Sequence, residues 1–186
     1  GKKPRHYMIA HNVLSRRKQP IVRALSVLQT FDGIVVLSSE AVDEIAQTYG
    51  VPRHRVVFMR DAVDEQFWHP LDDIPVEEGI ILSVGRARRD YPTLLRAVEG
   101  LPLRLHIQAS SQWFIPYGNK NLKPPPNVSL GGYLSFVELR ELYARAAFVV
   151  IVLEPGAHHS AGTVSVKEAM AMGKAVVVAS DGGMQD

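Results

Sequence analysis

Short apolar runs separated by amphipathic segments are the feature that most constrains how this chain of 186 residues can fold. Most runs are apolar at consecutive positions, as strands covered on both faces require, whereas half-exposed strands alternate apolar and polar residues. Segments with helical periodicity separate the runs. The sequence therefore predicts an α/β fold, doubly wound around a parallel sheet. The predicted strands are residues 7–10, 34–37, 56–59, 80–84, 103–108, 148–153 and 175–179.

Four predicted helices have recognisable ends. Ser39 can cap the first helix, and the second starts near Asp90. The third opens with a capping box, in which Ser135 and Glu138 each bond the backbone amide of the other. The fourth covers residues 164–172 and is followed by a glycine, which commonly ends helices.

Composition and charge exclude several classes of protein. The net charge of +2 is too small to make nucleic acid the expected partner. Without cysteine, the chain can form neither a disulfide framework nor a thiolate metal site. No apolar run is long enough to span a bilayer, and the first residues lack the apolar core of a signal peptide. We therefore expect a cytoplasmic protein.

The helical and strand pattern is interrupted at residues 67–78, where prolines and a cluster of acids indicate a linker between domains. This predicts one domain ending in residues 1–70 and another in residues 71–186. The chain begins close to a strand and ends directly after one. We therefore expect both ends to be cut rather than native.

Small residues before the fourth helix predict a site for an anion. Ala161, Gly162, Thr163 and Val164 allow a ligand to approach the first N–H groups of the helix, where the helix dipole favours negative charge. Phosphate is the natural candidate. Glu168, farther along the helix, could accept hydrogen bonds from the vicinal hydroxyls of a ribose. An ordinary helix start followed by a surface acid remains the alternative for these residues alone.

Four stretches of sequence resemble glycosyltransferase family 4 and its GT-B relatives. Residues 168–179, EAMAMGKAVVVA, resemble the donor-site signature of that family. Residues 81–95 resemble the first strand and loop of the donor domain, where the family directs basic residues at a nucleotide diphosphate. Residues 127–133, NVSLGGY, followed by Glu138-Leu139 through Leu142-Tyr143, resemble the stretch whose backbone meets the base. Residues 32–70 resemble the end of the acceptor domain and the crossover, so the resemblance covers nearly all of the chain.

The resemblance implies a role for each candidate residue. Arg86, with Arg88 or Arg89, and the amides at the helix start would neutralise charge on the leaving diphosphate. Glu168 would hold the ribose, and the backbone near Gly132 would hold the base. The implied catalytic residues are Arg86, Ser160 and Glu168, and the implied nucleotide-sugar residues are Gly85, Arg86, Arg88, Arg89, Gly132, Tyr133, Ala161, Gly162, Thr163, Val164 and Glu168.

The implied fold is a Rossmann-like GT-B donor domain in residues 71–186, incomplete at its C terminus. It follows the C-terminal part of an acceptor-side Rossmann-like domain in residues 1–70. The implied reaction moves a hexose from a UDP- or GDP-type sugar to an acceptor hydroxyl, with retention of configuration and without a cofactor. A fragment of this kind is expected to be inactive by itself.

The implied partners are the nucleotide-sugar donor and an acceptor, which is a glycan, a lipid or a small molecule. Peripheral membrane contact and a homo-oligomer are left open, because unpaired strand edges favour association. No metal is predicted: His158 and His159 are adjacent on a loop and no carboxylate pair accompanies them.

Two departures from the family pattern affect these expectations. Ser160 stands eight residues before Glu168, where the family has a glutamate thought to contact the donor sugar. Asp90 and Tyr91 stand where the family often has Lys-Gly, so an arginine must supply the positive charge.

Three alternatives to transfer therefore remain. One is a non-catalytic module that binds nucleotide sugars, and the second is a nucleotide-sugar epimerase of the same fold. An NAD-binding Rossmann enzyme is the third, although the first donor-domain strand is not followed by Gly-x-Gly-x-x-Gly.

Overall fold

The computed structural model describes residues 4–11, 13–109, 124–157 and 161–179. These residues form two compact units, the first ending at Asp61 and the second starting at Ala62. Each unit contains a parallel sheet with helices, so the predicted α/β class and parallel pairing are confirmed. The assignment of residues 1–70 and 71–186 to an acceptor-side and a donor domain stays a prediction.

The first unit is a three-stranded sheet with the strands in chain order. Its largest helix directs Val42, Ile45 and Tyr49 into the core and ends at Gly50, whose φ of +64° suits a residue without a side chain. The elements are β1 (Tyr7–Ile9), α1 (Gln19–Ala24), β2 (Gly33–Val36), α2 (Glu40–Tyr49) and β3 (Val56–Phe58), with 3₁₀ turns at Val27–Thr30 and Arg53–Arg55.

Two predictions for this unit need correction. Ser39 occupies the N-cap position of α2, but its side chain makes no capping hydrogen bond because its backbone is already helical. The helix α1 was not predicted. It has only six residues and buries none of them, so it lacks the apolar stripe by which a helix is recognised.

The second unit is a five-stranded sheet with the order β6-β5-β4-β7-β8. Its first strand is central, and Ile81, Leu105, Ile107 and Val128 of the sheet pack with the apolar face of α3. The elements are β4 (Ile80–Val84), α3 (Tyr91–Val98), β5 (Arg104–Gln108), β6 (Val128–Leu130), α4 (Phe136–Arg145), β7 (Phe148–Val152), α5 (Thr163–Ala171) and β8 (Ala175–Ala179).

The strand β6 was not predicted, because it has three residues and only Val128 among them is buried. The capping box of α4 was predicted correctly: Ser135 accepts from the amide of Glu138, and Glu138 accepts from the amide of Ser135. None of the helices in the described ranges is long and apolar enough to cross a membrane.

The strand order of the second unit determines where a ligand can bind. From β4 the chain continues to β5 and β6 on one side, then returns to β7 and β8 on the other. In such sheets the loops leaving β4 and β7 diverge at the carboxyl ends of neighbouring strands, and the crevice between them is the usual ligand site. The fold therefore predicts a ligand site between the loops that follow Val84 and Val152.

Asp90 caps α3, which gives a prediction for stability. Its carboxylate accepts a hydrogen bond of 3.1 Å from the amide of Thr93. Replacing Asp90 by alanine should lower the free energy of unfolding by about 1 kcal/mol, whereas Asp90→Asn should cost much less because asparagine also caps helices. Urea denaturation monitored by circular dichroism measures both changes. An equal effect of the two variants would contradict the capping role.

The same pair predicts a pH dependence. Hydrogen bonds from the hydroxyl and the amide of Thr93 lower the pKa of Asp90 below its ordinary 3.8. A carboxyl whose pKa is lower in the folded state than in the unfolded chain stabilises the fold at pH values above its unfolded-state pKa. This stabilisation is lost as the pH falls through its folded-state pKa. The stability difference between the wild-type protein and Asp90→Asn should therefore shrink below about pH 4.

Candidate functional site

Backbone hydrogen bonds join the loop after β4 to the end of β7. The amide of Asp90 donates to the carbonyl of Val152 at 2.9 Å, and the amide of Glu154 donates to the carbonyl of Arg88 at 2.9 Å. Arg89 and Leu153 form an antiparallel bridge between these two pairs. The loop that carries the predicted arginines is thus fixed at the switch point of the sheet.

The Arg89 side chain links this loop to the start of α5. It is only 8% exposed and donates to the carbonyls of Val84 at 3.1 Å and Ala87 at 2.8 Å. Its Nη2 lies 3.3 Å from Oγ of Ser165, in the first turn of α5. Burial lowers the pKa of Arg89, but an arginine keeps its charge in proteins. A buried cation therefore connects the two segments that the sequence assigned to a diphosphate.

The other two arginines of the loop lie nearer the surface. Arg88 has a φ of +59°, and its guanidinium contacts the carboxylate of Glu154 at 3.0 Å and the carbonyl of Gly156 at 2.8 Å. Both members of this ion pair are nearly half exposed, so the pair itself adds little to stability. Arg86 is partly buried two residues earlier.

Gly85 is required by the close approach of Arg89. Its φ is +100°, and a Cβ at this position would lie 2.9 Å from Cζ of Arg89 and closer still to Nη2. The hydroxyl of Tyr91 donates to the Gly85 carbonyl. Burial raises the pKa of Tyr91 to about 12, so the hydroxyl keeps its proton and its role as donor.

The start of α5 has the geometry that the sequence predicted. Gly162 is the N-cap with a φ of +85°, and its carbonyl accepts from the amide of Val166 at 3.0 Å. Ala161 and Thr163 are partly buried and Val164 is exposed. The earlier amides of this turn have no acceptor within the helix and carry its positive end.

Glu168 is not a surface acid. It is 8% exposed, and its carboxylate accepts a 3.0 Å hydrogen bond from the hydroxyl of Tyr143, which is fully buried. Burial raises the pKa of Glu168, while the hydrogen bond from Tyr143 lowers it. The tyrosine hydroxyl also lies 3.4 Å from the carbonyl of Ser165. The carboxylate and the Arg89 guanidinium thus approach the same turn of α5.

The predicted base-binding stretch is joined to the same edge through Gln108, the last residue of β5. The side-chain amide of Gln108 donates to the carbonyl of Gly132 at 2.6 Å, and the backbone carbonyl of Gln108 accepts from the amide of Gly85 at 3.1 Å. A Cβ on Gly131 would lie 2.7 Å from His106 Nε2 and would overlap Gln108. Tyr133 is 55% exposed beside this turn.

Hydrogen bonds along the carboxyl edge of the sheet therefore join Gly132 to Gln108 and Gln108 to Gly85. From Val84, the residue before Gly85, they continue through Arg89 to Ser165. They gather the candidate residues of three separate sequence motifs. Ser160, His158 and His159 lie outside the described residues. In the described ranges, no group of three or more histidine, aspartate or glutamate side chains is arranged for a metal ion.

Sequence reasoning did not assign Gln108, Tyr143 or Ser165 to the site. Gln108 carried a usable signal, since a polar residue ends an apolar parallel strand where ligands bind. Ser165 could have been noticed within the first turn of α5. Tyr143 belongs to the stretch that resembles the base-binding region, but its spacing fits the buried stripe of α4, so it was not given a role in the site.

A groove of about 710 Å³ lies outside this arrangement. Lys167, Met170 and Ala171 form one wall, on a different face of α5 from Ser165 and Glu168. The remaining lining residues are Val63, Glu65, Gln66, Trp68 and His69. Because none of the predicted ligand residues lines this groove, we do not assign the nucleotide to it.

The packing of Gly85 against Arg89 gives a second stability prediction. Gly79 also has a positive φ, of +76°, but a Cβ there meets no atom within 4 Å. Gly79→Ala should therefore cost only the backbone strain, about 1–2 kcal/mol. Gly85→Ala adds the displacement of a buried, hydrogen-bonded guanidinium and should cost clearly more. Chemical denaturation of both variants tests this, and equal losses would show that Arg89 moves aside without cost.

Comparisons with known proteins concern the sequence and the fold of the chain as a whole. No family model matches the chain. Its sequence is 26% identical over 141 residues to alpha-galactosylglucosyldiacylglycerol synthase of Streptococcus pneumoniae (strain ATCC BAA-255 / R6). The match covers 65% of this chain and 37% of that protein, so the chain spans well under half of its relative's length.

Two solved structures have the same fold. A glycosyltransferase from Rickettsia africae ESF-5 matches with a TM-score of 0.65 and 16% identity, over 92% of this chain and 50% of that one. Sucrose-phosphate synthase from Thermosynechococcus elongatus matches with a TM-score of 0.68 and 18% identity, over 95% and 47%. With the pneumococcal match, these findings confirm the resemblance found in the motifs: the chain is similar in sequence to a glycosyltransferase and shares the Rossmann-like α/β fold of the two solved structures.

Proposed function

We propose that this chain forms the donor site of an enzyme that transfers a hexose from a UDP- or GDP-type sugar to an acceptor hydroxyl. The observation that carries the proposal is the bond between Arg89 and Ser165, which joins the arginine loop to the positive end of α5. A diphosphate has two adjacent anionic groups, and these two segments offer cationic and amide donors to it. The crevice is where doubly wound sheets bind nucleotides.

The main catalytic effect would be electrostatic. When the bond from the sugar C1 to the diphosphate breaks, negative charge grows on the leaving oxygen. Arg86 and the amides of residues 161–164 would stabilise this charge, while Arg89 braces the two segments and so reduces the reorganisation required. The new bond forms between C1 and the acceptor oxygen, whose proton is released. In this way the Arg86 guanidinium and the helix amides would replace the metal ion that binds the diphosphate in other enzymes.

Selection of the nucleotide would depend on two groups of residues along the carboxyl edge of the sheet, Glu168 on α5 and the backbone of Gly132 and Tyr133. Glu168 would accept hydrogen bonds from the ribose hydroxyls. The backbone of Gly132 and Tyr133, fixed through Gln108, would contact the base. Retention of configuration and metal independence are part of the proposal and rest on the motif resemblance.

The identity of the acceptor, the cellular location and the formation of a homo-oligomer are also proposals. The pneumococcal relative is named for a glycosylated diacylglycerol, which makes a lipid the first acceptor to test. A glycan or small molecule is the alternative. We propose a cytoplasmic protein with peripheral access to membrane lipids.

A second candidate is a module that binds nucleotide sugars without transferring them. Ser160 favours it, because the family's acid at this position is absent. An assay of nucleoside diphosphate release from labelled UDP- and GDP-sugars, with and without diacylglycerol acceptors, distinguishes the two. Acceptor-dependent release supports transfer, and binding without turnover of any donor supports the module. Formation of a free epimer without acceptor would instead identify an epimerase.

Arg86 provides the sharpest single test of the diphosphate site. Arg86→Ala should weaken UDP or GDP binding by about tenfold to a hundredfold, the range for a hydrogen bond to a charged group. Isothermal titration calorimetry measures the affinity. Arg96→Ala is the matched control: it removes one positive charge from α3, where Arg96 bonds Thr93, and should leave affinity unchanged. If both variants lost affinity equally, the change in net charge would explain the loss, and a specific contact between Arg86 and the diphosphate would be refuted.

A further inference from the structure

The contact between Tyr143 and Glu168 is a buried link between α4 and the proposed ribose site. Tyr143 is 0% exposed and donates its hydroxyl hydrogen to the Glu168 carboxylate at 3.0 Å. A carboxylate has two oxygens, so one can be held by the tyrosine while the other remains available to a ligand hydroxyl. The hydrogen bond therefore restricts the rotation of the carboxylate without using its whole acceptor capacity.

The ring of Tyr143 is held in turn by the segment that precedes β4. Trp68 is buried and meets Tyr143 edge to face, with the ring centroids 5.6 Å apart at 87°. Phe67 meets Trp68 in the same way at 5.0 Å. Such pairs add specific geometry to the burial of apolar area. These contacts restrict the orientation of the tyrosine ring and therefore the position of its hydroxyl.

Arg140 fastens this segment to α4. Its Nη1 donates to the carbonyl of Phe67 at 3.0 Å, and its guanidinium lies 4.6 Å from the centre of the Phe67 ring. Arg140 and Tyr143 are three residues apart and therefore share a face of the helix. A continuous set of contacts runs from Phe67 and Trp68 through Tyr143 to Glu168.

We propose that Tyr143 is a positioning residue for donor binding, which orients Glu168 toward the ribose while Trp68 holds the tyrosine in place. The proposal rests on the proposed function, since it assumes that Glu168 meets the ribose. It goes beyond that function because it makes residues of the segment 67–68 determinants of nucleotide affinity although they do not touch the nucleotide.

The hydrogen bond also determines how affinity depends on pH. Burial raises the pKa of Glu168, and the bond from Tyr143 opposes this rise. Burial raises the pKa of the Tyr143 hydroxyl well above its ordinary value, although Arg89 acts on it in the opposite direction, so the hydroxyl stays protonated. Removing the hydroxyl should therefore raise the pKa of Glu168. The ionised carboxylate accepts hydrogen bonds from the ribose hydroxyls, and the protonated form accepts them less well. As the pH is lowered, the variant should therefore begin to lose donor affinity at a higher pH than the wild-type protein does.

The test is Tyr143→Phe, which removes the hydroxyl and keeps the ring against Trp68. Titration calorimetry with a UDP-sugar and with a GDP-sugar, repeated from about pH 5 to pH 8, measures affinity. We expect about tenfold weaker binding at neutral pH, the effect of losing a hydrogen bond to a charged group. The acid limb of the affinity profile should also move to higher pH. A packing defect alone would not move this limb.

Tyr49→Phe is the matched control. It removes a tyrosine hydroxyl that donates to the carbonyl of Val13 in the first unit, distant in sequence from every proposed ligand residue. Its nucleotide affinity and pH profile should equal those of the wild-type protein.

Glu168→Gln tests the proposal even if Tyr143→Phe folds poorly. An amide does not titrate, so this variant should lose the acid limb, and adding Tyr143→Phe should weaken binding no further. A Tyr143→Phe variant with wild-type affinity and profile, additive losses in the double variant, or an acid limb retained by Glu168→Gln would each overturn the positioning role. Failure of the wild-type protein to bind any nucleotide would instead overturn the proposed function itself.

Discussion

The second unit depends on a buried positive charge whose desolvation is offset by hydrogen bonds. Removing a guanidinium from water is costly unless its N–H groups find acceptors. Arg89 finds them in the carbonyls of Val84 and Ala87 and the hydroxyl of Ser165. These acceptors belong to a strand end, a loop and a helix start. The requirement to satisfy one cation therefore fixes three segments relative to one another.

This constraint explains why small residues occur where they do along the carboxyl edge. Gly85 makes room for the guanidinium, and Gly131 makes room for the Gln108 side chain. Both neighbours are buried and hydrogen-bonded, so neither can move aside without losing a partner. The edge is preorganised, which is the property that electrostatic stabilisation of a leaving diphosphate requires.

The arginines of the loop consequently differ in burial and in hydrogen-bond partners, although their neighbouring positions in the sequence do not distinguish them. Arg89 is an internal brace, whereas Arg88 contacts Glu154 and Gly156 at the surface of the following loop. The same distinction applies to acids: Glu168 is buried beside Tyr143, and Glu154 is half-exposed beside Arg88. Burial and partners decide what each charged group can do.

The sequence by itself determined the alternation of strands and helices, most element ends and the family resemblance, because apolar periodicity and glycine positions are local properties. It missed α1 and β6, whose few buried residues leave no periodic signal. It predicted one site for Gly85, Arg86, Gly132, Gly162 and Glu168, and this assignment stays a prediction. Only the tertiary structure decided that Arg89 bonds Ser165 and that Tyr143 bonds Glu168. The members of these pairs are 76 and 25 positions apart in the sequence, and such pairing depends on how the elements pack.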